Sequence, residues 1–200
     1  MEILEVFQTG PARGWIERLR GRDPSPPLVP DRAWDSDLTR EIQAASDAEF
    51  LPGVLPIDWD AASAIKCGLL LWNDALEPSH HLSQRIKNPT GSYWHGIMHR
   101  REPDFGNSKY WFARVGNHPA FVPLKERAID HLRRRGDGYS QTWLGEIQTG
   151  GWSPEGFINR CEKALRGKEP PEVIELLEWV QVLEIENLLA WMGERGSARG

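Results

Sequence analysis

Two hundred residues suffice for one domain with a sizeable core and hardly for two. At 40% hydrophobic and 26% charged the composition excludes wholesale disorder, and a net charge of -5 argues against general affinity for nucleic acid or an anionic membrane. Two cysteines without a CxxC pair, no basic-then-apolar leader and no 18-residue apolar run point to a cytoplasmic chain with reduced, buried thiols and no membrane span.

In chain order, Met1 to Leu19 carries a weak amphipathic pattern interrupted by Gly10, Pro11 and Gly14. The stretch RGRDPSPPLVP (20–30) holds four prolines and reads as an extended connector, so residues 1–30 form a partly extended segment of a single 1–200 domain. Trp34, Leu38 and Ile42 recur at a spacing of four, which predicts a helix reaching about Phe50. Leu51 to Trp59 is a proline-punctuated loop. Asp60 is a plausible N-cap for a helix through about Leu76, on which Ala61, Ala64, Ile65, Gly68, Leu69 and Trp72 form a broad stripe. Apolar nearly all round, this helix suits the centre of a bundle.

Pro78 then stops or kinks the chain and opens a turn carrying His80 and His81. Asn88-Pro89-Thr90-Gly91 is a turn, followed by a helix from about Ser92 to Arg101 that Pro103 ends. Asp104 can cap the next, Phe105 to Val115, with Gly116 as its stop. After His118-Pro119 a helix spans Val122 to Arg135, closed by Gly136, with Arg133, Arg134 and Arg135 where the helix dipole favours cations. Asp137 to Trp152 reads as loop-rich with one short helix around Trp143. Ser153-Pro154-Glu155 starts a helix to Leu165, and Pro170-Pro171 opens the last, Glu172 to Met192, with Leu176, Val180, Leu183 and Leu188 on its buried side. No window alternates with period two. The expected fold is an all-α, single-domain bundle of about seven helices, several short, around the helix at about 61–76.

Five of the six histidines (His80, His81, His95, His99, His118) fall between Ser79 and Pro119, among Tyr93-Trp94, Arg100-Arg101 and Tyr110-Trp111. Charge is uneven. From Ser79 to Arg135 there are eleven Lys and Arg against four Asp and Glu, a balance of +7, leaving -12 elsewhere, much of it on the last helix. At about 100° per residue, His95, His99 and Glu102 fall within about 60° on one helix face, a set able to hold Zn²⁺ or Fe²⁺. The chain lacks the glutamate of HExxH, and His80, His81 or His118 would complete the set; adjacent His80 and His81 point about 100° apart, so one of them joins it.

Arg100, Arg101, Lys109 and Arg114 could bind a phosphate or carboxylate; alternatively they pair with Glu102, Asp104 and the acidic last helix. Asn107 and Ser108 sit in a first helical turn, where free N–H groups favour an anion. Tyr93 and Tyr110 can donate a proton or hydrogen bond. Most of the ten tryptophans belong to an aromatic core, while a few, Trp94 and Trp111 first, would wall a pocket. Neither GxSxG, a GxxxxGK[ST] phosphate loop, nor GxGxxG after a strand occurs.

The run TGSYWHGIMHRREPDFGNSKYWFARVGNHP resembles a family of uncharacterised soluble helical proteins, bacterial and fungal, with the pattern H…YWHxxxHRRExDxxNxKYWF. The resemblance spans roughly residues 69–123. It implies a helical fold and a shared site formed by His95, His99, Arg100, Glu102, Asp104, Asn107, Lys109 and Tyr110, and it carries no activity with it. The expectation that follows is a small-molecule enzyme with a histidine-rich polar pocket, its metal form performing hydrolysis of an anionic substrate. In it His95, His99, Glu102, Asp104 and Tyr110 are the catalytic candidates, and His81, Arg100, Asn107, Lys109, Trp94 and Trp111 the ligand-binding ones. A divalent metal, Zn or Fe, would sit on His95, His99 and Glu102. The alternatives are a module that binds an anionic metabolite without turning it over, and a purely structural polar network.

Overall fold

The structure, a computed structural model, describes residues 2–51 and 59–197; most of the loop expected over 51–59 lies outside them. Among the described residues there are eleven α-helices and no strand, a single all-α domain with more helices than the expected seven. The additional helices come from three places where local pattern understates order. The first is the N-terminus. Helix α1 (Ile3–Val6) and α2 (Pro11–Arg20) stand where the glycines and proline suggested interruption, because Gly10 lies outside as N-cap and Pro11 occupies the first helical position. Ala12, Trp15, Ile16 and Leu19 then form the buried face of α2.

Helix α3 (Ser36–Ala44) begins at Asp35, whose carboxylate accepts from the Asp37 and Leu38 amides, and a 3₁₀ turn (Asp47–Glu49) follows it. The second place is the central apolar run. It forms α4 (Trp59–Trp72) and stops four residues before the expected Leu76. Asp74 adopts φ 62, a left-handed conformation that breaks the helix, and α5 (Leu76–Ser83) restarts beyond it with Pro78 in its first turn. The break is held from afar: the Asp74 carboxylate pairs with Arg22 at 2.7 Å and with Arg101, while the Asn73 amide donates to Asp35 O at 2.7 Å and Thr39 Oγ1 at 2.9 Å.

Helix α6 (Pro89–Arg101) starts three residues earlier than expected, with Asn88 accepting from the Gly91 amide at 3.0 Å and Pro89 at the first position. It is buried from Thr90 to Arg101. Two glycines explain how it fits. A Cβ at Gly68 of α4 would lie 2.6 Å from the Trp94 ring, and one at Gly96 would lie 2.7 Å from Phe112, so these positions let α6 close on α4 and on α7 (Phe105–Val115). The Ser108 hydroxyl donates to Gly96 O at 2.7 Å and locks α6 and α7 as an antiparallel pair.

Helix α8 (Phe121–Arg135) ends at left-handed Gly136. The third place is α9 (Gly138–Gly150), thirteen residues capped by Asp137 where a loop-rich stretch was expected. Its glycines lower propensity, but Trp143, Leu144 and Ile147 bury against α10 (Pro154–Lys163) and the start of α11 (Pro171–Ser197). A π-helical turn (Ala164–Lys168) joins α10 towards α11. Helix α11 serves two parts of the core: Leu176, Leu177 and Val180 face α9 and α10, and Ile185, Leu188 and Leu189 pack with α4 and α6. No helix of the described residues is long and apolar enough to cross a membrane.

Candidate metal centre

Three short elements bring the site together. Helix α5 supplies His80 and Ser83, α6 supplies His95 and His99 one turn apart, and the α6–α7 corner supplies Glu102 and Asn107. One ring nitrogen from each of His80, His95 and His99 lies within 4.8 Å of the others. His95 and His99 are buried, and His80 is half-buried and forms the accessible side.

The hydrogen bonds settle which nitrogens are free to act as ligands. Ser83 Oγ donates to His80 O at 3.0 Å, so it accepts from His95 Nδ1–H at 3.2 Å. His95 therefore presents its Nε2 lone pair, which faces His80 Nε2 at 3.2 Å. Likewise Glu102 Oε2 lies 3.2 Å from His99 Nδ1 and accepts from it, leaving the His99 Nε2 lone pair, which takes the Asn107 amide N–H at 2.9 Å. A hydroxyl or carboxylate behind Nδ1 and a lone pair on Nε2 is the arrangement found in histidine metal ligands. The Trp111 ring stacks on His95 with centroids 4.0 Å apart and fixes its plane.

Charge follows from packing. Burial, then the neighbouring His99 and His80, push the His95 pKa down to about 3. Burial also lowers His99, against the pull of Glu102. Both rings are neutral at physiological pH, which is the protonation state a metal ligand requires.

The donor set fits a divalent cation. Two nitrogens on a tetrahedral zinc are about 3.3 Å apart, and His80 Nε2 and His95 Nε2 stand at 3.2 Å. Since the widest pair is within 4.8 Å, a movement of about 1.5 Å would bring all three nitrogens to that spacing.

The other candidates fall elsewhere. Glu102 touches His99 from behind the ring, so it orients a ligand rather than joining the set. Asp104 caps α7, accepting from the Asn107 amide at 3.1 Å, and so places Asn107 against His99. Tyr110 is 56% exposed, with Arg114 reaching its hydroxyl at 3.5 Å. His81 points outward and is exposed; of the adjacent pair, His80 is the one at the cluster. Trp94 is fully buried against Gly68 in the core, far from walling a pocket. Arg100 is 1% exposed and bound to Glu184 at 2.6 Å, with Phe157 beneath its guanidinium at 4.3 Å, which realises the alternative of pairing with the acidic last helix. Lys109 lies 3.9 Å from Glu162.

His118 is also separate. Its Nδ1 accepts from the Ala120 amide and its Nε2–H donates to Thr90 Oγ1, both at 3.2 Å, and it packs edge-on against Trp191. Tyr93 donates to Glu184 at 3.1 Å and burial raises its pKa well above the ordinary value, so it is no proton donor to the cluster. Cys67 and Cys161 are free, and burial pushes each thiol up to about 12. Sequence reasoning overlooked Ser83, although it stands one turn after His80.

No known protein family, curated protein or solved structure matches the chain.

Proposed function

We propose that His80, His95 and His99 hold a divalent cation of the zinc or iron class, and that the protein uses it to hydrolyse a small anionic substrate. The observation that carries this reading is the convergence of three imidazoles whose back nitrogens, on His95 and His99, are already tied by Ser83 and Glu102. Three histidine ligands leave a fourth position for water or substrate, and such a cation supplies Lewis-acid activation of either. Asn107 donates to the His99 lone pair and would yield that lone pair to the cation. Trp111 keeps His95 aligned and shields one side of the site.

A second reading is favoured by one observation: the ring nitrogens already have partners in one another, Ser83 and Asn107, as a hydrogen-bonded seam between α5, α6 and α7 would require. The two are separated by experiment. Protein purified without a histidine tag is expected to carry close to one equivalent of transition metal by elemental analysis, and chelator is expected to lower its melting temperature. Metal-free protein whose melting is unaffected by chelator or added Zn²⁺ removes the metal reading. In cation-free protein His95→Ala and His99→Ala then report on the seam, since a structural role costs roughly 1–3 kcal/mol each.

A further inference from the structure

Beside His95 lies a cleft of about 440 Å³, lined among others by Ser83, Gln84, Lys87, Ser92, Trp111 and Arg114. That volume suits a small organic molecule. Two of these residues are the ones that hold His95: Ser83 through its Nδ1, and Trp111 through its ring face. None of the three imidazoles lines the cleft; it adjoins His95 through the two residues that hold that ring.

Its charge is what distinguishes it. Nearby, Arg100 is committed to Glu184, Arg101 to Asp74, and Lys109 faces Glu162. Lys87 and Arg114 are different. Among the described residues neither has a carboxylate partner: Lys87 Nζ donates to Gln84 O at 2.7 Å, and Arg114 reaches only the Tyr110 hydroxyl, with its guanidinium over the Tyr110 and Trp111 rings at 5.7 and 5.6 Å. They enter from separate elements, Lys87 from the α5–α6 connection and Arg114 from the last turn of α7, so they address the same space from two sides. Lys87 is also near enough to His95 to disfavour its protonation.

We propose that this cleft is the anion subsite: Lys87 and Arg114 take a phosphate-class oxyanion, the Ser92 hydroxyl adds a neutral donor, and the organic remainder lies along Trp111 towards His95. This deepens the hydrolase reading, since it names which cations replace the committed Arg100 and Lys109 in recognising the substrate. Arginine offers a planar fork to such a group and lysine a point charge, a pairing that discriminates an oxyanion from a neutral ligand.

The test is calorimetric titration of inorganic phosphate into chelator-treated protein, so that its outcome does not depend on a metal. Wild type is expected to bind saturably. Lys87→Met and Arg114→Met should each weaken binding about tenfold, as loss of one hydrogen bond to a charged group implies; the double variant should show none, while Lys87→Arg keeps binding. Metal content of the double variant, measured separately on untreated protein, should equal that of wild type, whereas His95→Ala should lose metal and keep phosphate. Absence of saturable phosphate binding to wild type, or a double variant with wild-type affinity and melting temperature, overturns the proposal. Both side chains lie at the surface, and Lys87→Arg together with melting curves separates lost binding from lost folding.

Discussion

Within one helix, His95 and His99 face one polar neighbourhood while Arg100 and Arg101, the next residues along, face another. In the arginine neighbourhood two buried carboxylates and four backbone carbonyls receive three guanidiniums. Asp74, 4% exposed, receives Arg22 and Arg101, whose guanidiniums also donate to the carbonyls of Trp72, Pro24, Pro27 and Leu71; Glu184, fully buried, receives Arg100 and the Tyr93 hydroxyl. The histidine neighbourhood sets like groups against each other, with burial lowering the pKa of His95 and His99 against the nearby acids Glu102 and Asp104. Opposite charges locked to one another and to backbone carbonyls build a scaffold. Like groups with lone pairs turned towards one another are the arrangement on which the proposed cation site rests. The arginines that look most like a ligand clamp in the sequence are thus the ones least free to be one.

The largest way to break this contrast is Asp74→Ala. It strips the shared carboxylate from two buried guanidiniums, and removing one partner of a buried pair costs about 3–5 kcal/mol. Chemical denaturation should show that loss, with the α4–α5 turn failing first. A change below 1 kcal/mol would mean that the network is incidental.

The next effect belongs to the histidines. In the presence of Zn²⁺ at about 100 times its dissociation constant the folded state gains about 2.7 kcal/mol. His80→Ala should abolish the accompanying rise in melting temperature. The neighbouring His81→Ala should leave both the rise and the cation-free stability within about 0.5 kcal/mol of wild type. Equal behaviour of the two variants would dissolve the assignment of His80.

The smallest effect sharpens the boundary between site and scaffold. Burial, with Arg195 nearby, lowers the His118 pKa from 6.5 to about 4, and its Nδ1 lone pair is used by the Ala120 amide. The unfolded chain thus binds the proton more readily than the folded one. This contribution to stability is complete above pH 6.5 and is lost progressively as pH falls from 6.5 to about 4. His118→Gln should flatten that part of the pH–stability curve measured by denaturant titration while metal content stays unchanged. A variant with the wild-type acid limb would show that other groups drive it.

Much of the local architecture was legible. Asp104 and Gly116 bound α7 where the sequence places them, Gly136 ends α8, and Pro154 opens α10 behind Ser153, because caps act within a turn of their own backbone. The His95–His99 spacing was legible for the same reason. The end of α4 was not. The expected helix runs on to Leu76, and what interrupts it is an aspartate whose partners lie 52 and 27 residues away. Helix α9 was hidden by its glycines and recovered only by packing Trp143, Leu144 and Ile147 into the second part of the core.

By itself the sequence determined that the chain is helical, where most caps fall, and that one stretch of α6 presents two imidazoles on a common face, since each of these depends on residues within about one turn. Only the tertiary structure decided that His80 and not His81 completes the set, that Ser83 and Glu102 hold the rings from behind, and that Arg100 and Arg101 are spent on Glu184 and Asp74. Those outcomes depend on how α5, α7 and α11 pack around α6. The free energy that selects among the partners of a buried charge comes from removing water at contacts between distant segments, and no local window contains it.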